Sequence, residues 1–423
     1  MRLREICVIC ATILTLGASN AMAEPASGIK IAVLLPEHGS AFTGAAAVMA
    51  EGVRAQHLLA KDGAKIVTLP AKRGQRAASR LQDAALSGAS VAIGPLEKNA
   101  VEELLHEPFL PIPVVALNVG DGQSPTPPLM MNFSLSLEEE ARQIARVAVR
   151  ALPAATQNGD RPSVRIFETE GYSRIADAYA EVLDEAQVPY GRELLTKEGL
   201  DKTRLLYEMP KADESEKPEL VPVPDQYEDP YGYQRANLKN RAIMSEFNAR
   251  LAYREPPYFG ALLAMDDMMA ALVKPRLPRL AKVWGTSVVN PSGSSAGGQV
   301  SVLTYDLQGL AFVDVPIVGI SSETQFMEKF GTEAPATALD RRLFALGADA
   351  YRLAIEWARL SKDIEFNGAS GRVAFHQDAS PVVEREAAYF VVGSKGVRQT
   401  AAEELEKPVE IPKFEEQGEK AQQ

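Results

Sequence analysis

The stretch IKIAVLL, Ile29 to Leu35, is a short apolar run that is followed at once by a helical pattern from Thr43 to Ala60. The apolar segments KIVTLP, VAIGPL and IPVVALN then alternate with two further helical segments, as far as Asn118. Strands that are apolar on both faces and alternate with amphipathic helices are typical of a parallel sheet covered on both sides. The pattern therefore predicts a doubly wound α/β lobe.

The same alternation recurs after residue 129. A helix from Ser136 to Leu152 begins with a capping serine, and the acids Glu138 to Glu140 lie in its first turn, where the helix dipole favours negative charge. The segments MMNFSL, SVRIFE, FGALLAM and KVWGTSVV read as strands. We therefore expect a second α/β lobe.

Length, composition and charge limit the class of protein. A chain of 423 residues with 46% apolar content is long enough for two domains with substantial cores. The net charge of −11 argues against nucleic acid or an anionic membrane surface as the main partner, because both favour clustered Lys and Arg. No segment after the N-terminus is long and apolar enough to predict a membrane span.

The first 23 residues have the features of a signal peptide. Arg2 and Arg4 precede the apolar run Ile6 to Leu16, and small residues end at Ala23, after which we expect cleavage and a periplasmic location. Both cysteines lie inside this segment, so we expect neither a disulfide nor a thiolate metal site in the exported chain.

Four later segments have distinct patterns. Lys197 to Pro257 is rich in Pro and acid and reads as a mobile surface insertion, within which Gln234 to Tyr253 has helical spacing. Ala338 to Lys362 is a long apolar helix in which Gly347 indicates close packing against a neighbour. Phe366 to Gly396 reads as a hairpin of two strands, and residues 398–423 as a disordered acidic tail.

The sequence carries no motif for catalysis. It has no nucleophile elbow, no phosphate-binding lysine loop, no dinucleotide-binding glycine pattern after the first strand and no zinc-binding helix motif. The four histidines are widely scattered, and none has a second histidine within one helical turn. We therefore expect no enzyme activity, no catalytic residue, no metal and no cofactor.

Ligands of open α/β sheets bind beyond the carboxyl ends of the strands. We therefore predict cleft residues in the turns that follow the strands of both lobes. Asp266 can equally be the N-cap of the following helix, so the sequence leaves both roles open for it. The predicted cleft residues are Ser40, Phe42, Gly94, Pro95, Leu96 and Asn118 in the first lobe, and Tyr172, Asp266 and Ser287 in the second.

Five ordered motifs make the chain similar to a known family. They are NFSLSLEEEARQIA (Asn132 to Ala145), ALLAMDDMMAALVKPRLPRL (Ala261 to Leu280), VWGTSVVN (Val283 to Asn290), DLQGLAFVDVPIV (Asp306 to Val318) and RLFALGADAYRLA (Arg342 to Ala354). They resemble the LppC family of penicillin-binding-protein activators, which has the type I periplasmic binding protein fold. That resemblance implies two Rossmann-like lobes joined by three crossover strands.

The resemblance also implies where the lobes begin and end. Residues 29–129 and 319–365 would form the N-terminal lobe, and residues 130–318 and 366–397 the C-terminal lobe, with the insertion at about 197–257. The crossings would be Met130 to Leu135, Leu310 to Val318 and Phe366 to Val373. Asp314 and Pro316 interrupt the second of these, and we read them as hinge residues, because a proline is tolerated where strand pairing changes. The predicted hinge residues are Phe133, Asp314, Pro316 and Asn367.

Two functions follow as expectations. The family implies a non-catalytic periplasmic protein that regulates peptidoglycan synthesis through contacts with a bifunctional peptidoglycan synthase. The alternative is a solute-binding receptor that closes on a small polar ligand, an amino acid or a peptidoglycan fragment, and delivers it to an ABC transporter. The residues Pro95 and Leu96 stand where receptors of this kind usually place small hydroxyl residues, so the first expectation ranks above the second.

Overall fold

A computed structural model describes residues 26–36, 40–69, 72, 74–120, 124–196, 205–208, 211–294 and 303–409. The predicted signal peptide therefore lies outside the described residues, together with parts of the insertion and of the tail. The strands are β1 Lys30–Val33, β2 Lys65–Thr68, β3 Val91–Ile93, β4 Val114–Ala116, β5 Met130–Asn132, β6 Val164–Glu168, β7 Tyr190–Leu194, β8 Gly260–Ala264, β9 Lys282–Gly285, β10 Ala311–Asp314, β11 Asp363–Asn367, β12 Arg372–His376, β13 Glu384–Glu386, β14 Ala388–Gly393 and β15 Gly396–Thr400.

The helices alternate with these strands. They are α1 Thr43–Ala60, α2 Ala77–Leu86, α3 Lys98–Leu105, α4 Leu137–Arg150, α5 Ser173–Glu185, α6 Pro230–Leu251, α7 Asp267–Val273, α8 Leu303–Asp306, α9 Glu323–Phe330, α10 Ala338–Ala358 and α11 Ala402–Glu406. Ser136 caps α4 as predicted, because its Oγ accepts a hydrogen bond from the Glu139 amide at 3.2 Å.

Two main sheets form the predicted α/β architecture. The first has five parallel strands in the order β2-β1-β3-β4-β5. The second has seven in the order β15-β14-β10-β9-β8-β6-β7, parallel except for β14 and β15. The predicted fold class is confirmed, since buried parallel strands alternate with helices in both sheets.

Helix α10 belongs to the core of the first sheet. Its residues Leu346, Tyr351 and Trp357 are buried with Ile31 and Met131 from the strands. At Gly347 the helix crosses α1 so closely that an added Cβ would overlap the carbonyl of Met49. The mid-helix glycine therefore marks close packing, as predicted. We call the first sheet with α1–α3, α9 and α10 the N-terminal lobe, and the second sheet with α4, α5 and α7 the C-terminal lobe.

The predicted hairpin at Phe366 to Gly396 is wrong in extent. Strands β11, β12 and β13 form a separate antiparallel sheet, and β14 and β15 form a second hairpin inside the seven-stranded sheet. The apolar face of the small sheet, including Val373 and Phe375, packs against the N-terminal lobe. There the rings of Phe375 and Trp357 contact edge-on, with their centroids 5.4 Å apart. Residues 366–386 therefore lie with the N-terminal lobe, and the chain reaches the second sheet only at Ala387.

Two further boundaries differ from those predicted. The tail is ordered beyond residue 398, because β15 pairs with β14 and α11 follows it with Leu405 buried. The insertion contains a longer helix than the predicted Gln234 to Tyr253, since α6 begins at Pro230, behind the capping side chain of Asp229. Pro at the first helical position suits a helix start, because the missing amide proton would have no intrahelical acceptor there.

Candidate functional site

The predicted cleft residues of the N-terminal lobe follow three adjacent strands, so they share one edge of the sheet. Ser40 donates a hydrogen bond to Glu97 at 2.5 Å, while Phe42 precedes α1 and is about half exposed. The Asn118 side chain donates to the Leu96 carbonyl at 3.0 Å and accepts from the Val119 amide at 2.9 Å. Its amide group is therefore bonded within its own lobe.

Gly94, Pro95 and Leu96 are buried behind this edge. Gly94 has a φ of 107° and lies against the Leu34 carbonyl, where a side chain would not fit. Its amide donates to the Val115 carbonyl, and the Pro95 carbonyl accepts from the Leu117 amide, both at 2.9 Å. These backbone groups hold the strand ends together.

The predicted cleft residues of the C-terminal lobe also share one edge, because β6, β8 and β9 are neighbours. Burial raises the pKa of the Tyr172 phenol, and the nearby carboxylates of Asp266 and Asp267 raise it further. Asp266 caps α7 by accepting from the Met269 amide at 2.8 Å, which is the structural alternative predicted for it from the sequence. Ser287 is buried, with 2% of its surface exposed, in the turn after β9.

Of the predicted hinge residues, Phe133 and Pro316 lie next to strands at the lobe boundary, whereas Asn367 does not. Phe133 is fully buried just after β5, and Pro316 begins a 3-10 turn that leads from β10 into the N-terminal lobe. Asn367 is a correction: it ends β11 in the small sheet, where its carbonyl accepts from Arg352 of α10, away from any crossing. β11 and β12 pair with each other in the small sheet, so the chain does not cross between the lobes at Asn367.

Asp314 ends β10 at the point where the chain leaves the C-terminal lobe. Pairing with β14 extends to Asp314, whereas pairing with β9 ends at Phe312. The next residue, Val315, is buried in a cluster with Phe344 of the N-terminal lobe. Asp314 has 0% exposed surface, and its Oδ1 accepts a hydrogen bond from the Val315 amide at 2.7 Å.

A buried ion pair joins the two lobes at Asp314. Arg342 of α10 donates from Nε to Oδ1 at 2.7 Å and from Nη2 to Oδ2 at 2.6 Å. The same Nη2 donates to the Ser287 carbonyl at 2.7 Å, and Asn290 donates to Oδ2 at 2.8 Å. Burial lowers the pKa of the Arg342 guanidinium, but the Asp314 carboxylate outweighs it and the pKa rises. The arginine is therefore held in its charged form.

A second buried pair lies beside the first. Glu140 of α4 accepts from the Ser287 amide at 3.0 Å and from Arg385 at 2.8 Å. Arg385 also donates to the Ser370 carbonyl at 3.1 Å, and Asp349 of α10 accepts from the Ser370 amide at 2.7 Å. Burial raises the pKa of the Asp349 carboxyl despite these hydrogen bonds.

These contacts form one network, which we call the interlobe network: Glu140, Ser287, Asn290, Asp314, Arg342, Asp349, Ser370 and Arg385. Charged groups buried with their partners resist separation, because each group left alone would be desolvated without compensation. The network therefore fixes the C-terminal lobe against α10. Its chemistry is structural, since every carboxylate in it is already bonded to protein donors.

Sequence reasoning found Ser287 and Asp314 but missed Glu140, Arg342, Asp349 and Arg385. One signal was available: Arg342 and Asp349 are charged residues in an apolar helix, and a spacing of seven places them on the same face. The partners could not be identified, because they lie far away in the sequence.

Within the described residues, no group of three or more His, Cys, Asp or Glu side chains could hold a metal ion. The same part of the chain contains no helix with the length and hydropathy needed to cross a bilayer.

Comparison with known families confirms the resemblance. Residues 22–180 match the family model described as "LppC putative lipoprotein". Penicillin-binding protein activator LpoA of Pectobacterium parmentieri is 23% identical over 317 residues, which cover 72% of this chain and 44% of that protein. LpoA of Photobacterium profundum is 30% identical over 123 residues, covering 28% of this chain and 18% of that protein. The chain thus spans less than half the length of these curated relatives.

Solved structures confirm the type I periplasmic-binding arrangement. A protein described as a branched-chain amino acid ABC transporter from Chromobacterium violaceum superposes with a TM-score of 0.59 at 24% identity, covering 86% of this chain and 99% of that one. The C-domain of LpoA from Haemophilus influenzae, described as a regulator of PBP1A, superposes with a TM-score of 0.58 at 15% identity. The superposition covers 88% of this chain and 100% of that one. At these identities the likeness concerns the fold.

Proposed function

We propose, on the premise of this relationship to the LppC family, that the protein is a non-catalytic periplasmic regulator of peptidoglycan synthesis. It would act through contacts with a bifunctional penicillin-binding protein. The support from relatives is that both curated matches are named as activators of penicillin-binding proteins. Because the chain spans only part of their length, their activity is carried over here as a proposal.

The observation that carries the proposal is that the polar side chains of Asn118 and Asp266, and the backbone of Ser287, already have protein partners. A receptor for a free amino acid needs donors for a carboxylate and an acid for an ammonium group, all directed at the ligand. Here Asn118 bonds within its own lobe, Asp266 caps α7, and Ser287 bonds through its backbone to Glu140 and Arg342. A zwitterion would have to displace these bonds, so the arrangement favours the regulator over the receptor.

The primary test measures binding to purified bifunctional synthases of the same organism by biolayer interferometry. Synthase turnover is then measured with and without the protein. We expect saturable binding to one synthase and a change in its turnover. Failure to bind any of these synthases would overturn the proposal.

A thermal-shift screen against free amino acids tests the receptor alternative. A ligand at about one hundred times its Kd stabilises a protein by roughly 2.7 kcal/mol. We expect no such shift. A shift that Asp266→Ala abolishes, and that Asp229→Ala leaves intact, would establish a receptor instead. The control is matched, because Asp229 caps α6 with the same 2.8 Å bond to a backbone amide.

A further inference from the structure

Helix α6 lies outside the hydrophobic cores of both lobes. Among the described residues, none of the clusters of buried apolar side chains includes a residue of this helix. Of its 22 residues only Ala236 and Leu251 are buried. Helices of globular proteins normally gain their stability by packing an apolar face against the rest of the protein. A helix of this length that leaves most of its surface in water therefore has a face that is open to a partner.

Hydrogen bonds within the insertion hold α6 in place. Asp229 caps its first turn, and at mid-helix the Asn240 side chain donates to the Val221 carbonyl at 2.9 Å and accepts from the Val221 amide at 2.8 Å. Just beyond its end, Arg254 pairs with Glu216 at 2.7 Å. The insertion therefore presents the open face of α6 in a defined conformation.

Two tyrosine rings project into water at the start of α6. Tyr231, in the first turn of the helix, is 81% exposed, and Tyr227, just before the helix, is 93% exposed. Asp225 fixes the backbone there by accepting a hydrogen bond from the Tyr227 amide at 2.8 Å. Tyrosine has a large apolar ring with few rotatable bonds, and it is enriched at binding surfaces. Two rings in this state are therefore candidates for contacts with a partner.

The open face of α6 is also cationic. Arg235 and Lys239 follow Tyr231 at a spacing of four, which places the three side chains on one face of the helix. Both cations are exposed, and neither forms an ion pair within the part of the chain that the structure describes. The single acid of α6, Glu246, is paired with Arg250 at 2.7 Å. On a chain with a net charge of −11, this local positive charge attracts an anionic partner.

The shape and pattern of this face restrict the class of partner. A single exposed helix is convex, whereas small molecules bind in concave pockets. A membrane surface needs apolar side chains in one continuous stripe, but Arg235 separates Tyr231 from Leu238. A tight protein interface needs a contiguous, well-packed centre, which separate rings do not form. Isolated rings between cations suit a polymer that offers flat apolar faces and carboxylates at intervals, as sugar chains with acidic substituents do.

We propose that the open face of α6 binds a glycan polymer that carries carboxylate groups. The C–H faces of its sugar rings would stack on Tyr227 and Tyr231, and its carboxylates would pair with Arg235 and Lys239. Peptidoglycan is such a polymer, because the peptides attached to its glycan strands have free carboxylates. The inference rests on the proposed function for the choice of peptidoglycan, but not for the chemistry of the surface.

The experiment measures co-sedimentation of the full chain with purified peptidoglycan sacculi. We expect saturable binding that weakens as salt is added. Tyr227→Ser with Tyr231→Ser should raise the apparent Kd by at least about fivefold, because two stacking contacts are lost. Arg235→Gln with Lys239→Gln should raise it by about fivefold at low salt. All four side chains are exposed, so both double variants should keep the circular dichroism spectrum of the unmodified protein.

Matched controls remove the same groups elsewhere. Tyr305→Ser removes a ring that is 83% exposed on α8, and Arg54→Gln with Lys61→Gln removes two exposed cations on and just after α1. Both controls should leave the apparent Kd within about twofold. If the chain does not sediment with sacculi, or if controls and α6 variants lose binding equally, the inference is overturned. It is also overturned if the tyrosine variant binds like the unmodified protein, because the face would then recognise charge alone.

The synthase assay separates the two proposals and tests a protein as the other occupant of α6. If the α6 variants lose synthase binding but keep sacculus binding, α6 is a protein-docking surface and the glycan inference fails. If the unmodified protein binds a synthase but not sacculi, the inference fails and the proposed function stands. If no synthase binds while sacculi bind through α6, the proposed function fails and the glycan site stands.

Discussion

The buried pair between Arg342 and Asp314 allows a quantitative test of how the lobes are held together. Arg342 makes three hydrogen bonds of 2.6 to 2.7 Å across the lobe boundary, two of them to Asp314. The Asp314 side chain has no exposed surface, and that of Arg342 is 15% exposed. Removing the arginine alone would leave a buried carboxylate without its counter-charge.

The perturbation is Arg342→Met, which keeps most of the side-chain volume. Breaking a buried ion pair by removing one partner costs about 3–5 kcal/mol. Asp314 would keep the donors Asn290 Nδ2 and Val315 N, so we expect a loss near the lower end, about 3 kcal/mol. Combining it with Asp314→Leu removes both charges, so the double variant should be more stable than additivity predicts, by about 1–3 kcal/mol.

Urea unfolding followed by tryptophan fluorescence measures the effect in each lobe separately. The chain has two tryptophans: Trp284 is buried in the core of the C-terminal lobe and Trp357 in that of the N-terminal lobe. Single-tryptophan versions, made with Trp284→Phe or Trp357→Phe, should unfold at the same urea concentration when Arg342 is present. With Arg342→Met the two transitions should separate, because the lobes lose the three hydrogen bonds that Arg342 makes across their boundary.

The control is Arg235→Met, on the exposed face of α6, which should change the free energy of unfolding by less than about 0.5 kcal/mol. A cost below about 1 kcal/mol for Arg342→Met, or strict additivity in the double variant, would refute the reasoning, since the pair would then contribute no more than a surface salt bridge.

Three further predictions follow from single contacts. Gly347→Ala should destabilise the protein by about 1–3 kcal/mol in urea unfolding, because the added Cβ would overlap the backbone of α1, whereas Gly44→Ala in open space should be neutral or stabilising. Burial lowers the pKa of Lys282 from 10.5 to about 8, so the unfolded chain binds more protons between these values and stability should rise with pH there. Lys282→Met, unfolded in urea at pH values inside and below that window, should lose this rise. The pKa of His376 is raised above 6.5 mainly by its hydrogen bond to Asp363, so its contribution to stability should be lost as pH rises through the folded-state pKa; Asp363→Asn should return the pKa of His376 toward 6.5 in an NMR titration.

The fold could be predicted from the sequence because its signals are local. Each buried strand of the first lobe is an apolar run, and each helix has an apolar face, so alternation alone indicates a doubly wound sheet. Caps are local too: Ser136 and Asp266 bond to amides three residues later, and both were identified. The small sheet was predicted as part of one hairpin, because the pairing of β12 with β13 joins segments about ten residues apart that no tight-turn signal marks.

The interlobe network could not be predicted, since its energy comes from tertiary pairs. Arg342 and Asp314 are 28 residues apart, and Glu140 and Arg385 are 245 apart. In sequence, Glu140 is indistinguishable from Glu138 and Glu139, which lie in the same first turn. Only the fold shows that Glu140 points inward, with 2% of its surface exposed.

The position of Arg342 also bears on whether the lobes can close on a ligand. Asp314 directly precedes the crossing between lobes, so rotation about that crossing would move it little relative to α10. Ser287 lies in the turn after β9, away from the crossing, and its carbonyl accepts from the same guanidinium. Rotation large enough to close the cleft would therefore stretch the bond to Ser287 while the pair with Asp314 stayed intact. A ligand would have to compensate for the loss of that bond through new contacts. The cleft residues are already bonded elsewhere, so they are poorly placed to make those contacts.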